Sequence, residues 1–138
     1  MLKDMPEIAA FVRRGTSAIT PNILKSVHKN LPYLKLKFTE LDDPVFPHLT
    51  DQLEFLADVV EDFAEGVEED LSYAAVAASV LALLYAHREL SLIPNGIPVP
   101  GLATDSAVVR AVLIEHQNVF AAYAERHKMK WDDITVEP

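Results

Sequence analysis

The side chains able to do chemistry are thinly spread along this chain. The five histidines are His28, His48, His87, His116 and His127, and none falls in a Glu-x-x-His or His-Glu-x-x-His arrangement. Helical di-metal centres need such motifs on facing helices. Glu54, Asp58, Glu61, Asp62 and Glu65 lie close together at helical spacing, which without histidine partners reads as a solvated acidic face. There is no cysteine, so thiolate catalysis, thiolate metal sites and disulfides are all excluded. No serine sits in a Gly-x-Ser-x-Gly elbow, and no glycine-rich loop could cradle a phosphate. No metal or cofactor is expected. The constellation with most chemical potential is His116 with Tyr85 and Asp105, with His87 as a further partner, provided the helices carrying them pack antiparallel. Asp105 is also explained as a helix N-cap, and His116 as a core histidine making one hydrogen bond.

Those residues must be positioned by helices. Pro6 and Gly15 suit the start and C-cap of a first helix ending near Arg14. Thr20-Pro21 opens a second helix that runs to about Asn30. Residues 33–38 nearly alternate, but no second strand exists to pair with them, so the segment is expected to be helical or irregular. Leu49, Leu53, Leu56, Val60 and Phe63 form the apolar stripe of a helix ending before Gly66. A helix from about Leu71 to Glu89 is apolar on most sides and carries a ridge of Ala74, Ala78 and Ala82 that would admit a close neighbour. A final helix runs from Thr104 or Asp105 to about His127, with His116 on its buried stripe.

No strand–helix alternation appears. The expectation is therefore an all-α fold, a compact bundle of five or six helices, forming one domain over residues 1–138 with 1–4 and 131–138 peripheral. The chain's 138 residues, half of them hydrophobic, suffice for one core without staples.

The connection from Ser91 to Ala103 departs from the usual short, polar link between bundle helices. Pro94, Pro98 and Pro100 lack a backbone N–H, while Asn95-Gly96 and Gly101 supply turn geometry. Leu92, Ile93, Ile97, Val99 and Leu102 are left to pack as a stiff lid or to meet a partner. Leu92-Ile93-Pro94-Asn95-Gly96-Ile97-Pro98-Val99-Pro100-Gly101, with Tyr85 before it and Asp105-Ser106-Ala107-Val108-Val109 after it, resembles the signature of the YkvA-like domain family of unknown function. The resemblance covers roughly residues 81–110. Ser91, Asn95 and Thr104 stand where that family's pattern has acids, leaving Asp105. The retained proline framework with its acids mostly replaced implies a structural or interaction role. The candidate pocket or lid is accordingly Tyr85, Pro94, Asn95, Pro98, Gly101, Asp105 and His116.

Charge is strongly segregated. Residues 1–37 carry seven basic and two acidic side chains, whereas 40–70 carry twelve acidic and no basic ones, in a chain of net charge −9. Such a chain is a poor ligand for nucleic-acid phosphates. The basic third is expected to face the acidic block, within the chain or across a dimer, although it could also touch an anionic surface. The apolar run 71–86 is short for a bilayer span, so membrane contact is not favoured. The reading is a cytoplasmic, non-catalytic interaction or scaffold domain, with a homo-oligomer or protein partner. The alternative is a ligand-binding, metal-binding or enzymatic protein with its pocket under the 91–104 lid.

Overall fold

α1 spans Met5–Ala18, α2 Pro21–Lys29, α3 Leu31–Phe38, α4 Leu49–Ala64, α5 Tyr73–Ala86, α6 Asp105–Glu115 and α7 Gln117–Arg126, followed by a 3-10 turn over Trp131–Asp133. These elements come from a computed structural model that describes residues 5–38, 46–68, 70–87 and 105–137. Among the described residues the structure is helical, with no strand.

Several boundaries follow directly from local chemistry. Thr20 caps α2 by accepting from the Ile23 amide at 3.2 Å, with Pro21 just inside. Ser72 caps α5 in the same way, through the Ala75 amide. Gly66 ends α4 in the left-handed region, at φ 74°. The Val67 amide then reaches the Asp62 carbonyl and the Gly66 amide reaches Phe63, which is a Schellman closure. α7 closes likewise, with Lys128 at φ 59°.

α5 is the axis of the bundle. Its interior carries no charged side chain, and residues 75–85 are all buried, so neighbours must surround it. α4, α1 and α6 pack along it, and α2 touches it as well. The buried Ser79 hydroxyl on this helix is satisfied by donating to the Ala75 carbonyl at 2.9 Å. No helix among the described residues is long and apolar enough to cross a membrane.

Three expectations are corrected. α1 does not stop at Gly15 but continues to Ala18. A Cβ on Gly15 would stand 2.5 Å from Leu81 Cδ2, so this glycine serves a close approach of α1 to α5 instead of a cap. Residues 31–38 take the helical one of their two expected forms, with Leu31, Leu34 and Phe38 buried at helical spacing. The single helix expected over 105–127 is interrupted at His116 (φ −119°, ψ 30°). The bend lets Phe120 and Tyr123 meet Phe55 edge-on, at 5.8 and 5.6 Å. The helix at 31–38 and this interruption bring the α-helices to seven among the described residues.

The third correction concerns the C-terminal tail, which docks on α4 over 131–137. Trp131 packs on Phe55 with ring centroids 5.8 Å apart. The fully buried Gln52 amide donates to the carbonyls of Thr135 and Glu137, at 2.5 and 2.9 Å. Nothing in the apolar stripe of α4 marks Gln52 for this role.

The charge blocks meet within the chain. Lys35 lies 3.4 Å from Asp58 and 3.1 Å from Glu61, and His28 lies 3.1 Å from Glu65. The acidic face of α4 is thus cross-braced to α2 and α3 rather than wholly solvated. Burial raises the Asp58 carboxyl above its ordinary range, although the Lys35 charge opposes this.

Candidate functional site

Of the residues expected to form a site, those within the described range do not converge. Tyr85 is buried in the core against Phe11, with centroids 5.7 Å apart. Asp105 begins α6, whereas His116 lies just past its end. At 1.5 Å of rise per residue they are about 16 Å apart. His87 caps the far end of α5 and lies 4.8 Å from the Phe38 ring. The proposed grouping of His116 with Tyr85 and Asp105 is therefore not assembled. Pro94, Asn95, Pro98 and Gly101, with the rest of the 91–104 connection, lie outside the described residues.

His116 instead borders a groove at the opposite pole of the bundle, where the start of α5 meets the end of α6 and the C-terminal half of α1. Val12, Arg13, Thr16, Ser17, Tyr73, Ala74, Glu115 and His116 line it, enclosing about 290 Å³. Each wall has a local cause. The α6–α7 bend at His116 puts Glu115 and His116 together on one wall. Ser72 fixes the first turn of α5 and so places Tyr73 and Ala74. The Tyr73 hydroxyl donates to the Ile19 carbonyl at 2.9 Å, and its ring stands edge-on to Phe63 at 6.2 Å, so the ring is a fixed wall.

Most of the groove surface is apolar. Its rim carries one ion pair, Arg13 Nε to Glu115 Oε1 at 3.3 Å, with side chains 66% and 37% exposed. Pairs this exposed contribute about 0–1 kcal/mol and exchange readily with other partners. Burial lowers the His116 imidazole below its ordinary value, with the Glu115 charge acting the other way. It is therefore neutral at pH 7 and offers one donor and one acceptor. Thr16 Oγ1 is buried at the groove with no hydrogen-bond partner among the described residues. Such an arrangement can hold an apolar group and satisfy one polar atom beside it. It has no nucleophile aligned with a base.

A second cluster, missed from the sequence, joins the turn after α4 to the end of α7. Glu68, only 9% exposed, accepts from Arg126 Nε at 2.7 Å and pairs with His127 Nε2 at 2.7 Å. Burial alone would raise its carboxyl, but the bonds from His127 and Arg126 outweigh that and hold it below the usual range. Tyr123 donates to Asp62 Oδ2 at 2.5 Å and stacks on His127, with centroids 4.2 Å apart. Burial and the Asp62 bond push the Tyr123 phenol far above its ordinary value, so it stays a donor. The cluster works as a clasp between two helix ends. The oppositely charged pair Glu68 and Arg126 was its only signal in the sequence.

No group of three or more histidine, aspartate or glutamate side chains among the described residues could hold a metal ion. Comparisons with protein-family models, with curated proteins and with solved structures find no match to this chain.

Proposed function

We propose that the chain is a non-catalytic interaction domain whose groove between α1, α5 and the end of α6 receives an apolar side chain of a protein partner. One observation carries this reading: an apolar concavity of about 290 Å³ rimmed by the exchangeable Arg13–Glu115 pair. That volume is at the lower end of small-molecule sites, about 300–1,000 Å³. It suits a single large side chain better than a cofactor. The absence of cysteine supports the reducing cytoplasm as the place of work. Kinship with the YkvA-like family belongs to the same proposal and rests on the Ile93-Pro94 to Pro100-Gly101 motif.

The test is a photo-crosslinking amino acid at Ser17, compared with and without Ala74→Trp. Ala74 is exposed at the groove, so the larger ring fills the groove without entering the core. Capture of a defined partner that Ala74→Trp abolishes, with an unchanged unfolding midpoint, supports the reading. Capture that survives Ala74→Trp refutes it. A second copy of the chain is one such partner, and sedimentation of a dimer that Ala74→Trp dissolves would identify it.

A second reading, a small ligand with an apolar body and one hydrogen-bonding head, rests on the unpartnered Thr16 Oγ1. Thr16→Val separates the two. It removes the hydroxyl at nearly constant shape, so it weakens such a ligand and leaves an apolar side chain bound.

A further inference from the structure

The cations of α2 and α3 divide into two sets. His28 and Lys35 turn toward the carboxylates of α4. Lys25, Lys29 and Lys37 lie on the exposed side. The division follows from the helical repeat. Leu24, Val27, Leu31, Leu34 and Phe38 are buried at alternating steps of three and four, which forms one inward stripe. Backbone hydrogen bonds pass through the α2–α3 junction, from the Leu34 amide to the Asn30 carbonyl at 3.0 Å, so the two helices share that stripe.

On the outward side, Lys25, Lys29, Tyr33 and Lys37 succeed one another at steps of four and form a single ridge. Tyr33 is 56% exposed, and Leu36 beside it is 62% exposed. The Lys37 ammonium lies 5.6 Å from the centre of the Tyr33 ring. No acidic residue occurs from Ile8 to Phe38. A ridge with an aromatic and an aliphatic side chain at one end and lysines along it has the composition of an interfacial amphipathic element.

We propose that the outer face of α2 and α3 docks on an anionic phospholipid surface, with Tyr33 and Leu36 entering the headgroup layer and Lys25, Lys29 and Lys37 facing the lipid phosphates. Tyrosine suits that depth, having an apolar ring and a wet hydroxyl, and lysine stems lie along apolar surface while their heads stay in water. The chain's net charge of −9 does not prevent docking. Charges more than about 8 Å from the contact are largely screened at physiological ionic strength, so the lysines nearest the bilayer dominate. A second copy of the chain fits this face poorly, because two-fold pairing would set lysine against lysine. This site is separate from the groove and does not depend on the groove's occupant.

The experiment is flotation of the full chain with vesicles of phosphatidylcholine, alone or carrying about one quarter phosphatidylserine as anionic lipid. The protein should float with the anionic vesicles at physiological ionic strength and remain behind with the neutral ones. Lys25→Gln and Lys29→Gln should each lower the partition about fivefold, the equivalent of roughly 1 kcal/mol per basic residue near such a surface. Leu36→Ser should lower it by at least as much, and Ala74→Trp should leave it unchanged. Equal partition onto both vesicles, or none onto the anionic ones, overturns the proposal. So does partition that Leu36→Ser leaves intact, since that would mark a surface for soluble polyanions such as nucleic acid. All the substituted positions are exposed, and circular dichroism of each variant checks that the fold is kept.

Discussion

Gly15→Ala sets two physical effects against each other at one position. In an open helix the change stabilises by about 1 kcal/mol, because alanine loses less backbone entropy than glycine. In α1 the new Cβ would stand 2.5 and 2.8 Å from the Leu81 methyls and 3.2 Å from Leu81 Cγ. Leu81 is fully buried on α5, so it cannot swing into solvent. Overpacking of this kind costs about 1–3 kcal/mol. The net expectation is a loss of about 0–2 kcal/mol. Leu81→Ala alone should cost about 2–5 kcal/mol, through lost burial and a cavity.

In the double variant the overlap is gone and the propensity gain remains. The two changes should therefore couple by about 2 kcal/mol in favour of the double variant. Urea unfolding of the four proteins measures this directly, and for a chain of this length each kcal/mol also moves the thermal midpoint by roughly 3–4 °C. If Gly15 instead ended its helix in a left-handed conformation, alanine would be strained whatever stood at position 81, and the coupling would vanish. A null coupling, or a stabilised single variant, refutes the close approach of α1 to α5 as the reason for this glycine.

Two further outcomes follow from the clasp and from the end of α7. Glu68 titrates below its ordinary value of 4.5 when folded. Its contribution is therefore complete above about pH 4.5 and fades as the pH falls through the lower folded value. Glu68→Gln should cost about 1–2 kcal/mol at pH 7, with Arg126 and His127 partly exposed and their bonds discounted accordingly. The gap between wild type and variant in thermal midpoint should narrow on acidification, and a gap that widens contradicts the assignment. Lys128 holds φ 59° at the close of α7, a conformation that costs a residue with a side chain about 1–2 kcal/mol. Lys128→Gly should recover roughly 0.5–1 kcal/mol of that after glycine's own entropy cost, read as a higher urea midpoint; a lower midpoint contradicts it.

The sequence by itself determined what local chemistry can specify. Thr20-Pro21 and Gly66 bounded their helices because capping needs only neighbouring backbone groups. The charge-free run after Ser72 had to become the buried axis, since no other placement hides so much apolar surface. The segregation of basic from acidic side chains set the two blocks against each other, within the chain or across a dimer, and only the structure made the pairing internal and placed it on Lys35 and His28. Tertiary structure decided the rest. Gly15 reads the same as a cap or as a contact until Leu81 is seen against it. The bend at His116 is set by where Phe55 waits for Phe120 and Tyr123, a partner more than sixty residues away in the chain. His116, Tyr85 and Asp105 shared two helices expected to pack antiparallel, yet the rise along α6 sets His116 and Asp105 at opposite poles. The groove that His116 does border is made by three helix segments, none of which marks it alone. A concavity is a relation between surfaces, and helical periodicity fixes which face of each helix turns inward without fixing where three helices fail to close.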